Sequence, residues 1–160
     1  MPRTARLIMD NAVYHVMARG NQKQATFVEE ADFLTYIDLL KHYKTKYQFK
    51  LYAYCLMPNH VHLILKVKKG SNLGKIMQGV NLTYAILFNG KYKKIGHLWQ
   101  GRYKSKVIEK NKYLLECLEY VEFNPIRASI SDSPFKYTWT SWQERMGYKK
   151  EGLLDIPEIS

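Results

Sequence analysis

His60 and His62 stand one residue apart in Leu56-Met57-Pro58-Asn59-His60-Val61-His62-Leu63-Ile64-Leu65-Lys66-Val67. The apolar, β-branched run after Pro58-Asn59 reads as a strand buried on at least one face. Side chains alternate along a strand, so both imidazoles project from one side, roughly 6.6 Å apart at Cα, and Val61 points into the core. Two imidazoles so placed can converge on one metal ion. The competing reading is a pair of packed core histidines, the more common fate of His in an apolar strand. Two on one face would then need burial and hydrogen-bond partners together. A metal would need a third ligand from elsewhere in the chain.

A tyrosine and an amide come next. Lys112 to Phe123 reads as a helix with Leu114, Leu118 and Val121 on its apolar side. Tyr120 and Asn124, four apart, share a face beside that stripe. Pro125 stops the helix and leaves Asn124 in the last turn or just past it. Tyr113, seven residues before Tyr120, lies along the same face. A helical tyrosine is more often scaffold than nucleophile, so spacing alone does not assign Tyr120 a role.

Charge narrows the partner. Twenty-five Lys and Arg against fourteen Asp and Glu give a net +11, which calls for an acidic partner, nucleic acid first. Ribosomal or membrane-surface association would account for the total equally well, so distribution decides. Residues 91–112 carry eight Lys or Arg and one acidic residue, interleaved with Tyr92, Trp99 and Tyr103 and broken by Gly96 and Gly101. That is the composition of a shaped loop that stacks bases and holds phosphates, rather than a solvated charge run. His97 in this loop could contact DNA, make a structural bond or do neither. Arg19, just past the first strand, could reach a phosphate or be solvated.

These residues need elements to position them. The length suits one domain over residues 1–160, with a core at about 11–130 and a C-terminal tail, 131–160, packing on or near it. Hydrophobic residues at 46% and aromatics at 14% exclude a disordered chain. No apolar run has the length of a membrane span, and Met1 to Arg6 lacks the apolar part of a signal peptide. Cys55 and Cys117 form neither a disulfide framework nor a zinc ribbon, and the expected compartment is a reducing cytoplasm. Residues 11–18 read as a first strand, with His15 as a core or sheet histidine. Glu29–Tyr47 follows a helical period, and His42 on it is given no role. Phe49–Leu56 is a second strand, joined to the histidine strand as an antiparallel hairpin. Ser71-Asn72 caps a second helix running to about Phe88, where Asn89-Gly90 is read as a stop. Residues 102–108 form a last strand with Arg102, Lys104 and Lys106 on one face.

Three blocks together resemble the single-tyrosine HUH transposases (IS200-like), most closely the REP-associated tyrosine transposase branch. They are Leu56-Met57-Pro58-Asn59-His60-Val61-His62-Leu63, Gly96-His97-Leu98-Trp99-Gln100-Gly101-Arg102-Tyr103-Lys104-Ser105, and Tyr120-Val121-Glu122-Phe123-Asn124-Pro125-Ile126-Arg127-Ala128. The similarity runs from about Val13 through Tyr137-x-Trp139-x-Ser141. The resemblance implies an α+β fold: a central antiparallel sheet in ferredoxin-like β-α-β-β-α-β order, flanked by helices. It implies that His60 and His62 are the HUH histidines, Tyr120 the nucleophile and Asn124 the third metal ligand, where many relatives carry Gln. The implied cofactor is Mg²⁺ or Mn²⁺. The implied reaction is cleavage and rejoining of single-stranded DNA near a hairpin through a 5′-phosphotyrosine link, in the bacterial nucleoid, by a monomer or homodimer. Arg19, Trp99, Arg102, Lys104, Lys106 and Arg127 are the candidate DNA contacts; Arg127 could equally cap the preceding helix. The alternative is a domesticated hairpin-binding protein without productive catalysis. A two-histidine RNA phosphoesterase would need two separated H-x-T/S motifs, which the chain lacks.

Overall fold

A computed structural model describes residues 11–109 and 111–158. The reading of Met1 to Arg6 and the basic residue Lys110 therefore lie outside the described residues, as does the side chain of Lys112. In chain order the elements are β1 (Val13–Arg19), a short 3-10 turn (Asn21–Lys23), α1 (Glu30–Tyr47), β2 (Lys50–Met57), β3 (His60–Lys66), α2 (Leu73–Tyr92), β4 (Lys104–Ile108), α3 (Asn111–Glu122), α4 (Asn124–Arg127) and α5 (Trp142–Arg145). The four strands form one sheet in the order β2-β3-β1-β4, antiparallel at every pairing. This is the expected α+β architecture.

The sheet separates two apolar layers. Val16, Ala18, Tyr54, Leu56, Val61, Leu63 and Leu65 face α1 and α2, packing against Phe33, Tyr36, Ile37, Leu40, Ile76, Val80 and Tyr84. On the other face Ala53, Cys55, Met57 and Ile64 meet Leu114, Leu118 and Val121 of α3. A register shift between Leu51 and Ala53 places an extra residue in β2. Such a bulge reverses side-chain parity, which lets Leu51 and Tyr54, three apart, point into the same layer.

Two expectations are revised. The second helix continues through Asn89-Gly90 to Tyr92. The reason is tertiary: Tyr92 donates its hydroxyl to Asp32, and Lys91 pairs with Asp32 and Glu29. These contacts to the start of α1 outweigh a local turn preference. The last strand begins at Lys104, because Gly101 at φ +62° turns the chain first, and Arg102 precedes the strand. As expected, the Tyr120 helix ends before Pro125, at Glu122, and Asn124 lies just past it. Pro125 takes the first turn of a separate short helix, α4, where a missing N–H costs nothing.

Candidate active site

Register brings the candidate residues to one face. Along β1 and β3, Arg19 pairs with His60, Met17 with His62 and His15 with Ile64. Directly paired residues share a face, so His15 joins the two β3 histidines on the side that α3 covers. Lys106 pairs with His15 and Lys104 with Met17, which puts both lysines on that face as well. The apolar side of α3 anchors in the layer beneath through Leu114, Leu118 and Val121. Tyr120 is thereby carried over the sheet, its ring centroid 6.3 Å from that of His15.

The imidazoles form a chain of contacts. The rings of His60 and His62 lie 5.1 Å apart and those of His62 and His15 5.3 Å apart. His62 Nδ1 is 3.0 Å from His15 Nε2, and His60 Nδ1 is 2.8 Å from Asn59 Oδ1. His62 is 6% exposed, and burial is the main cause that lowers its pKa to about 3, with the charges of His15, His60, Arg127 and Arg19 adding to it. Burial also lowers the pKa of His60, helped by Arg19, and that of His15, helped by Lys106. All three imidazoles are thus driven toward the neutral form, which is the form that ligates metal.

The donor set is compatible with a metal. A neutral imidazole pair on one face, ringed by the cations Arg19, Lys106 and Arg127, suits an ion that brings anionic phosphate with it. Among the described residues no group of three or more His, Cys, Asp and Glu is arranged to hold a metal. The amide oxygen of Asn124 is a hard donor of another type, of the kind that Mg²⁺ and Mn²⁺ accept. Asn124 is half-buried and opens α4, four residues beyond Tyr120.

Arg127 stacks its guanidinium 3.8 Å over the Tyr120 ring and donates a hydrogen bond to the Tyr120 carbonyl. Of the two roles the sequence leaves open for Arg127, a DNA contact and a helix cap, this bond is of the capping kind. Tyr113 and Tyr120 are equally exposed, at 51%, so exposure does not separate them. Position does: among the described residues Tyr113 makes no ring contact with a histidine, and two helical turns place it roughly 10 Å away along the axis.

The basic loop divides its residues between two places. Lys104 and Lys106 lie on the histidine face, whereas Arg102 and Trp99 line a cavity of about 650 Å³ with Lys75, Gln78 and Asn81 of α2; Arg19, at the end of β1 opposite His60, borders that cavity too. Trp99 is half-buried, donates its indole N–H to the Asn81 carbonyl and packs against Tyr36 and Tyr84. Sequence reasoning missed His15 at the site. The sequence reads His15 as a core or sheet histidine; Tyr14, Val16 and Ala18 pack in the main core and leave it on the opposite face, and only the β1–β3 register shows what it meets there.

The family described as Transposase IS200 like matches residues 8–124. No curated protein matches the chain. Among solved structures, a REP-associated tyrosine transposase bound to a REP hairpin is similar at a TM-score of 0.78 and 14% identity, over 100% of this chain and 96% of that one. A transposase-like protein from Deinococcus radiodurans R1 aligns at a TM-score of 0.52 and 20% identity, over 76% of this chain and 96% of that one. At these identities the two likenesses are of fold. The family match covers most of the sequence, and the chain belongs to the IS200-like transposase family.

Proposed function

We propose that this chain cleaves and rejoins single-stranded DNA beside a hairpin, with Tyr120 as nucleophile and His60, His62 and Asn124 as metal ligands. The observation that carries the reading is a row of three histidines driven toward the neutral form, His62 buried and His60 and His15 half-buried, with the exposed Tyr120 against His15 on one cationic face. The hairpin element of the reading is drawn from the solved relative bound to a REP hairpin. When bound, a divalent ion polarises the scissile phosphate and offsets the charge that develops on it.

The chain's own residues supply the rest. The Tyr120 hydroxyl oxygen attacks phosphorus and loses its proton, the bond from phosphorus to the 3′ oxygen breaks, and that oxygen takes up a proton. The products are a 5′-phosphotyrosine and a free 3′-OH. Because the phosphodiester is exchanged rather than hydrolysed, another 3′-OH can attack it and release Tyr120 without ATP. Arg127, stacked on the phenol ring and tied to its carbonyl, holds the nucleophile against α3. Arg19, Lys104 and Lys106 are the contacts for the DNA backbone near the site, and Arg102 and Trp99 those for the strand that leaves it along the cavity.

The test is incubation with 3′-labelled single-stranded hairpin DNA and Mn²⁺ or Mg²⁺, read on a denaturing gel. A DNA–protein adduct is expected, lost in Tyr120→Phe and on chelation, and retained in Tyr113→Phe. Adduct retained in Tyr120→Phe would move the nucleophile elsewhere. Tight hairpin binding with no adduct across many hairpins would make the chain a binding protein instead.

A further inference from the structure

We propose that His15 is a positioning residue for the metal site, acting through His62 by accepting a hydrogen bond from its Nδ1. This role rests on the proposed action of His60 and His62 as metal ligands. Both β3 imidazoles have the same ring nitrogen engaged: His60 Nδ1 meets Asn59 Oδ1 at 2.8 Å and His62 Nδ1 meets His15 Nε2 at 3.0 Å. An amide oxygen only accepts, so His60 carries its proton on Nδ1 and keeps a lone pair on Nε2. If His62 donates to His15, it too keeps its lone pair on Nε2. The opposite polarity would put a proton on His62 Nε2 and block that nitrogen. A partner on the second nitrogen is how metal-binding histidines are commonly held in tautomer and ring orientation.

Place and burial support this role. His62 is nearly shut off from water, so solvent is poorly placed to substitute for the partner. The strand position of His15 faces the α3 layer, where the comparable β3 position is Ile64 and the default residue is apolar. A histidine there is explained by what it bonds. Its ring also meets the Tyr120 ring edge-on, so one side chain touches both halves of the site.

Two readouts independent of cleavage test the idea. Long-range ¹H–¹⁵N spectra of the metal-free protein near pH 7.5 report the His62 tautomer, and Mn²⁺ titration followed by electron paramagnetic resonance reports affinity. The wild type is expected to show His62 protonated on Nδ1. His15→Phe keeps an aromatic ring but removes the acceptor, and it should weaken Mn²⁺ binding by about 10- to 100-fold. His15→Gln restores an acceptor and should recover most of that loss. Hairpin affinity measured with chelator should be the same for all three, which excludes a folding defect. His62 protonated on Nε2 in the wild type, or His15→Phe binding Mn²⁺ as tightly as wild type, overturns the proposal. The tautomer measurement needs no variant, so it stands even if His15→Phe fails to fold. If His60→Ala binds Mn²⁺ as well as wild type, the metal reading itself falls, and the role of His15 with it.

Discussion

His62 combines burial with an ionisable ring, and that combination makes the site sensitive to acid. Its folded pKa of about 3 lies below the ordinary 6.5, chiefly because burial penalises the charged form. Above pH 6.5 both folded and unfolded chains hold it neutral, and it contributes nothing to pH dependence. As pH falls below 6.5 the unfolded chain takes up a proton that the folded chain refuses, so stability declines progressively toward pH 3. His15 and His60, shifted in the same direction, add to that slope. The metal-free protein is therefore expected to lose urea midpoint steadily from pH 7 to pH 4. His62→Gln should flatten the profile over that range. A profile unchanged by the substitution would mean that His62 is protonated in the fold. The same burial keeps His62 neutral at physiological pH.

α3 is an amphipathic helix whose burial decides where Tyr120 stands. Two residues beyond the tyrosine, Glu122 is 3% exposed and accepts from Arg145 Nε and from the Ser141 hydroxyl. Burial raises the Glu122 pKa, and the Arg145 charge and the two hydrogen bonds oppose that rise. Arg145 also donates to the Tyr52 carbonyl, and Ser141 N donates to the Tyr54 carbonyl. The residues around Thr140 run along β2 with a bridge to Cys55, covering backbone groups that an open sheet edge would leave unpaired. One buried carboxylate thus ties the tyrosine's helix to the sheet and to the C-terminal segment. Glu122→Ala strands Arg145 without its partner and should cost about 3–5 kcal/mol of unfolding free energy. Denaturant melts measure it, and a loss under about 1 kcal/mol would show that α3 is held by its apolar stripe alone.

Across the whole molecule, +11 of net charge is distributed unevenly, with cations gathered where the histidines open to solvent. Lys104 and Lys106 project beside His15, and Arg19 and Arg127 lie close enough to influence His62. A surface of this kind raises the local concentration of a polyanion and makes affinity salt-dependent through release of condensed counterions. Replacing Lys104 and Lys106 by Ala should reduce the slope of log affinity against log salt by about 0.7 for each single-strand phosphate that is no longer neutralised. An unchanged slope would place the DNA elsewhere. No helix among the described residues is long and apolar enough to cross a membrane.

What local pattern encodes was legible without coordinates. The element order, the antiparallel hairpin at Pro58-Asn59 and the sharing of one face by His60 and His62 follow from alternation, helical period and turn chemistry, which act within a few residues. The site residues proposed from the sequence rested on motif resemblance, and the nearness of Tyr120 to His15 appears only once α3 is packed on the sheet. Other features needed distant parts of the chain. The extension of α2 past Asn89-Gly90 depends on Asp32, nearly sixty residues earlier. The placement of His15 against His62 depends on the register between β1 and β3, 47 residues apart in sequence. The separation of Arg102 from Lys104 and Lys106 depends on one turn at Gly101. Side-chain type and period are properties of neighbours in sequence. Register, burial and the pKa values that burial shifts are properties of neighbours in space, and only the folded chain decides those.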